Sequence, residues 1–143
     1  MKVESILKTK GRRVHTTLPI TTVAQAIDEF SAANIGALVV SSDGENVEGV
    51  ISEREVVRGL ARHGAKLLGM PVKDLMSRPR VCTPHETVEQ VMKTMTISRT
   101  RHLPVVEDGK LCGIVSIGDV VKSRLQELEL EVGVLRDAYI ARR

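Results

Sequence analysis

Residues 113–121 read GIVSIGDVV, and residues 49–57 read GVISEREVV. Both stretches open on Gly, pass through aliphatic residues to a Ser (Ser116, Ser52), set an acid three residues later (Asp119, Glu55) and close on Val-Val. The second copy begins 64 residues after the first in a chain of 143. In each copy a short aliphatic run reads as a strand. The Ser then suits a helix cap, and the acid suits a first helical turn. Each copy therefore predicts a strand that hands over directly to a helix.

The echo spreads outward from these two stretches. VESIL (3–7) is answered by VKDLM (72–76), each a short apolar-faced segment that enters its half. RVHTTLP (13–19) is answered by RVCTPHE (80–86), each β-prone and then interrupted by Pro. Next, TVAQAIDEFSAAN (22–34) places Val23, Ala26, Ile27 and Phe30 at helical spacing. TVEQVMKTMTISR (87–99) does the same with Val88, Val91, Met92 and Met95. Both begin Thr-x-x-Gln, a capping-box pattern. Aliphatic runs follow at 36–40 and 47–51 around Asp43-Gly44, and at 103–106 and 110–115 around Asp108-Gly109. Asp-Gly between such runs marks a hairpin. A second helix over roughly 53–63 ends naturally at Gly64; its counterpart starts near Gly118. One strand-helix-strand-strand-helix unit of this size is marginal alone, and two can bury a shared core.

Composition narrows the classes of function. The net charge of +3 is too small to argue for nucleic acid or a membrane. Phe30 and Tyr139 are the only aromatic residues, which disfavours proteins that stack bases on aromatic rings. No apolar run approaches the length of a membrane span. Cys82 and Cys112 sit in aliphatic surroundings and read as reduced, structural thiols. A cytoplasmic location is the expectation. His15, His63, His85 and His102 are scattered, no zinc-like spacing occurs, and no Gly-rich loop precedes a Lys-Ser/Thr pair. An enzyme, a catalytic cofactor and a metal site are therefore not expected. The basic segments KTKGRR (8–13) and Arg142-Arg143 come without a reading helix, so DNA binding is disfavoured.

The doubled motif offers chemistry of its own. An ionised carboxylate at Asp119 accepts hydrogen bonds, and a ribose diol supplies two donors; the same carboxylate equally serves as a first-turn helix residue. Ser116 can donate to a phosphate or cap the helix. Gly118 leaves room for a ligand. Arg99, Arg101 and His102 crowd cationic groups before the LPVV strand, where a guanidinium fork suits phosphate oxygens; a solvated basic loop would look the same. The first half departs from this set. It has Glu55 for Asp119, Arg54 where Gly118 stands, and no cation at Gly36 or Ala37. The sequence therefore ranks the Asp119 site above the Ser52–Glu55 site, unless Arg54 supplies the missing cation.

Gly-aliphatic-aliphatic-Ser-x-x-Asp preceded by RHLPVVEDGKL resembles the cystathionine β-synthase (CBS) domain, and two in tandem resemble a Bateman module, here of the stand-alone bacterial type. The resemblance covers about residues 1–126. It implies a mixed α/β (α+β) fold of two βαββα repeats packed sheet to sheet about a pseudo-two-fold axis. The corresponding limits are 1–66 for the first repeat, 67–126 for the second and 127–143 for a C-terminal helical extension. It also implies regulatory sensing of an adenine nucleotide in clefts between the repeats, with AMP expected and ATP, ADP or NAD(H) left open. In that family the Ser and acid of the motif meet phosphate and ribose. Arg101 and His102 fall at phosphate-contacting positions. Thr16, Thr17 and Thr83 lie on the strands that hold the base, with Val14, Val81 and Cys82 as aliphatic lining. Modules of this kind pair as disc-like homodimers and act on a client protein. Val121, Leu125, Leu128, Val132, Leu135 and Tyr139 recur at threes and fours in the tail. They mark an amphipathic helix seeking a partner, so a dimerisation or interaction module without a nucleotide is the alternative.

Overall fold

The computed structural model describes residues 1–141. The first half contains α1 (Val3–Lys10), β1 (Thr16–Thr17), α2 (Val23–Ala33), β2 (Ala37–Val40), β3 (Gly49–Ser52) and α3 (Glu53–His63). Two 3-10 turns, Gly64–Gly69 and Val72–Asp74, lead into α4 (Val88–Ser98), β4 (His102–Glu107), β5 (Lys110–Ser116) and α5 (Ile117–Ala141). Thr22 caps α2 and Thr87 caps α4, each in a full capping box with Gln25 or Gln90. Gly64 stops α3 with φ of 59°. Asp108 and Gly109 both take positive φ, the two-residue turn that matches the twist of a hairpin.

The sheets follow the repeat, with one departure. β1 runs parallel to β2, and β2 pairs antiparallel with β3, so that Ala37 faces Ser52. β4 pairs antiparallel with β5, and His102 faces Ser116. The strand expected at the start of the second half shrinks to one parallel bridge between Cys82 and Val105. Pro104 explains the loss. In the first half the Val39 amide donates to the His15 carbonyl at 3.1 Å. Pro104 stands where Val39 stands and has no N–H to give. The bonds that do not need it persist, Cys82 N to Pro104 O at 3.0 Å and Val106 N to Cys82 O at 2.8 Å.

The two cores are built by exchange. Val3, Ile6 and Leu7 of α1 are buried with Val88, Val91, Met95, Leu103 and Val115 of the second half. Leu67 and Val72, from the connecting turns, are buried with Val23, Phe30, Leu38 and Ile51 of the first. Backbone bonds lock both arms. Val3 N meets Glu86 O at 2.9 Å, and Val72 N meets Thr21 O at 2.8 Å. Val88 N meets Met1 O, and Val23 N meets Met70 O, both at 2.9 Å. The lead-in segment of each half thus docks where the other half's helix begins.

That exchange accounts for the Gly that opens each motif. A Cβ on Gly113 would lie 2.6 Å from a methyl of Leu7, and one on Gly49 would lie 2.6 Å from Met76 Sδ. Each Gly is small because an exchanged arm lies across its strand.

Candidate functional site

In both halves the Ser and the acid three residues on start the helix together. The Ser116 amide donates to Asp119 Oδ2 at 2.8 Å, and the Asp119 amide donates to Ser116 Oγ at 3.2 Å. The Ser52 amide donates to Glu55 Oε2 at 3.0 Å, and the Ser52 hydroxyl donates to the same oxygen. The extra methylene of Glu55 lets its carboxylate reach back over the hydroxyl. The spacing is therefore a helix start in both copies, and any binding role is added to that one.

A cleft of about 640 Å³ opens between the halves, within the size range of small-molecule sites. Gly36, Ser52, Glu53, Arg54, Glu55 and Arg58 form one wall. The segment Ser98–His102 forms the other, and Ser77, bonded to Val50 of β3, lines the cleft beside the first. Arg54 donates across the cleft to the carbonyl of Arg99. Arg99 caps α4 in the left-handed conformation, φ 53°, where the first half has Asn34 at 52°. A non-Gly residue held there is uncommon, more so for a long side chain than for Asn. It sets Arg99 on the cleft wall. Four guanidinium groups, those of Arg54, Arg58, Arg99 and Arg101, share this cleft with the carboxylates of Glu53 and Glu55. Among the described residues, Arg58, Arg99 and Arg101 enter no ion pair. The cleft therefore carries three guanidinium groups outside any ion pair, beside two carboxylates and hydroxyls.

His102 lies on the floor. A side chain at Gly36 would come within 3.7 Å of its ring. Burial holds the imidazole below its ordinary pKa, aided by nearby Lys10, while Glu55, Asp119 and Glu53 pull the other way. His102 is thus a neutral ring at neutral pH.

The cations are distributed differently from the sequence ranking. Arg99 and Arg101 precede β4 in the second half, but with His102, the first residue of β4, they line the cleft that holds Ser52, Arg54 and Glu55 of the first. The Arg54 bond to the Arg99 carbonyl ties the loop to this cleft: the second half's loop is the first half's wall. Asp119 instead receives Lys10. Its Nζ lies 2.6 Å from Asp119 Oδ2 and 3.0 Å from the Ile114 carbonyl. Burial opposes ionisation of Asp119, but the Lys10 hydrogen bond and the Ser116 amide outweigh it and hold the carboxyl below the usual range. Gly118 is exposed on α5, away from the cleft wall.

The remaining expected contacts lie elsewhere. Thr16 and Thr17 form β1 beside Val39 and Val40, and Thr17 is buried. Thr83 is exposed, with its amide on Glu86 Oε2 at 2.6 Å. Val81 is exposed, whereas Cys82 belongs to the second core, and its thiol pKa is pushed up to about 12, chiefly by burial. Both cysteines are free. Arg142-Arg143 lie outside the described residues. Glu53, Arg58, Ser77 and Lys10 were not singled out from sequence. Arg58 was legible in principle, one helical turn beyond Arg54 and Glu55. Lys10 was not, because its partner is 109 residues away.

Comparison with known proteins decides the family. The CBS domain model matches residues 3–62 and 72–125. The chain belongs to the CBS domain family. Its two CBS repeats carry small sheets and a C-terminal helix, and CBS-pair structures share that architecture. The crystal structure of a CBS-domain containing protein from Agrobacterium tumefaciens superposes with a TM-score of 0.83 at 41% identity, covering 87% of this chain and 99% of that one. The structure of CBSX2 in complex with AMP gives a TM-score of 0.71 at 28% identity, covering 87% and 96%. Among curated proteins, the mitochondrial CBS domain-containing protein CBSX3 of Arabidopsis thaliana is 33% identical over 96% of this chain and 71% of its own length. No helix among the described residues is long and apolar enough to cross a membrane.

Proposed function

We propose that this CBS pair is a regulatory module that binds an adenine nucleotide, AMP in the first instance, in the cleft between Ser52–Arg58 and Ser98–His102. The observation that carries the reading is the set of unpaired guanidinium groups gathered from both repeats beside Glu55. Arg99 and Arg101 suit phosphate oxygens. The Glu55 carboxylate suits a ribose diol, at the cost of releasing the Ser52 hydroxyl. Val50 and Val57 supply aliphatic surface for the base. The likeness to CBSX2, whose structure holds AMP, supports the same ligand class. The number of arginines leaves space in the reading for ADP, ATP or NAD(H). No residue here is assigned a catalytic role.

The cleft spans both repeats, so a ligand favours the relative orientation that best brings its walls together. That differential affinity is what reshapes the surface a client protein reads. The test is thermal unfolding against AMP, ADP, ATP, NAD and S-adenosylmethionine. A ligand at one hundred times its dissociation constant adds roughly 2.7 kcal/mol, a shift of several degrees for a chain of this size. Arg101→Ala and Glu55→Ala are each expected to weaken AMP by about tenfold, the loss of one charge-assisted contact, with Asp119→Ala changing AMP affinity far less. Equal losses at Glu55 and Asp119 would place the ligand elsewhere.

A second reading concerns assembly. Leu125, Leu128, Val132 and Leu135 are exposed along α5, at threes and fours on one helix of 25 residues. A second copy of the chain is the partner we propose for this stripe, as in a coiled-coil seam. Sedimentation of the chain ended after Gln126 is expected to give a monomer where the full chain gives a dimer; dimers from both would remove α5 from the interface.

A further inference from the structure

The two motif carbonyls that stand at equivalent places meet different partners. Val50 O accepts from the Ser77 amide at 2.9 Å and from Ser77 Oγ at 3.2 Å. Ile114 O, 64 residues on, accepts from Lys10 Nζ at 3.0 Å. Both partners come from the exchanged lead-in arms, but one arm ends in a short neutral hydroxyl and the other in a cation. Ser77 leaves Glu55 facing the open cleft. Lys10 spans from Ile114 to Asp119 and pairs with its carboxylate at 2.6 Å, the two side chains being 35% and 24% exposed.

Lys10 is held in place by its element. It ends α1, which Val3, Ile6 and Leu7 anchor in the second core. Gly11 then turns the chain, its amide on Leu7 O at 2.7 Å. A cation in the last turn of a helix is also favoured there by the helix dipole. The ammonium therefore arrives at Asp119 on a rigid support rather than on a loose loop.

We propose that Lys10 is a built-in occupant of the second repeat's acidic site, so that the chain binds one nucleotide, at the Ser52–Glu55 cleft, and not two. This inference rests on the nucleotide-binding reading above. A ribose diol at Asp119 would compete with Lys10 for Oδ2, and it would have to displace a bond charged on both sides with one charged only on the carboxylate. The two copies of the motif thus have separate tasks: one faces ligand, and the other ties the α1 arm to the start of α5.

The test follows backbone and side-chain resonances of both motifs during titration with AMP alone. In the wild-type chain, AMP is expected to shift the amides of residues 52–55 and leave those of 116–119 in place, with calorimetry giving one site per chain. Lys10→Met keeps the length and apolar stem of the side chain but removes the charge, and is expected to open the second site, so that both motifs shift and two molecules bind. Lys10→Arg keeps the cation and is expected to behave as wild type. Binding at 116–119 in the wild-type chain, or one site only in a folded Lys10→Met chain, would overturn the inference. Absence of any shift at 52–55 would instead overturn the nucleotide reading. Lys10 is then judged without ligand, from the carboxyl carbon of Asp119, which faces Lys10, His102 and Ser116. It is expected to titrate at lower pH in the wild-type chain than in Lys10→Met, and coincident titrations would overturn the role given to Lys10.

Discussion

Leu7 and Met76 lie across the motif strands of opposite repeats, one over Gly113 and the other over Gly49. Leu7 is 1% exposed and belongs to the second core; Met76 packs at the margin of the first. The same exchange of arms therefore carries unequal weight in the two halves. The second half has lost a strand bond to Pro104 and has only a two-stranded sheet with one added bridge. It depends on α1 to complete its core. The first half has a three-stranded sheet, and its arm is only two 3-10 turns. A repeat that is symmetric in sequence need not be symmetric in what stabilises it.

The largest effect should come from breaking the stronger arm. Leu7→Ala is expected to cost about 2–5 kcal/mol, the range for emptying a buried Leu site. Met76→Ala should cost clearly less, because Met76 is already partly open to solvent. Urea unfolding of both variants checks the order. Equal losses would mean that the two arms contribute alike and that the helical form of α1 adds nothing.

The motif glycines sharpen the same contrast in the other direction. A Cβ on Gly113 meets only the end of Leu7, a side chain that can shift. A Cβ on Gly49 meets Met76 and also the Ser77 carbonyl at 2.8 Å, which is backbone. Overpacking costs typically about 1–3 kcal/mol, so Gly49→Ala should fall near the upper end and Gly113→Ala near the lower. Combining Gly113→Ala with Leu7→Ala should cost less than the sum of the two, because the clash partner is gone. Additive losses would show that Leu7 is not what Gly113 makes room for.

Much of this architecture was legible in the sequence because its signals are local. The capping boxes at Thr22 and Thr87, the Asp108-Gly109 turn and the 3.6-residue stripes of α2 and α4 each lie within a few residues. The doubling itself was plain from the motif. What was hidden depends on contacts far apart in the chain. The exchange of Val3–Leu7 with Leu67–Val72 leaves no local mark. Nor does the loss of the second opening strand, which turns on a missing amide at Pro104, more than 20 residues beyond the strand it affects. The candidate site divides in the same way. Ser52, Arg54, Glu55, Arg99, Arg101 and His102 were identifiable by type, and the structure gathers them in one cleft. The sequence grouped Arg99, Arg101 and His102 with Ser116 and Asp119, unless a site borrows from both halves, and in the structure the loop of one repeat lines a cleft with Ser52, Arg54 and Glu55 of the other. Lys10 was invisible, since nothing near it in sequence announces Asp119.

The smallest effect concerns the two α-helix caps that stand at equivalent places, Asn34 after α2 and Arg99 after α4. Both adopt the left-handed conformation, which Asn tolerates through its short polar side chain and Arg does not favour. Arg99→Asn copies the first repeat's solution into the second. It is expected to raise stability by roughly 0.5 kcal/mol, the scale of gains from relieving backbone preference at a compatible site. The same change removes a guanidinium from the cleft, so AMP affinity should fall while the melting temperature rises. That pairing of opposite signs is what separates a residue kept for ligand from one kept for folding. A variant that is both less stable and unchanged in AMP affinity would mean that Arg99 supports the α4 cap itself, and that its place on the cleft wall is incidental.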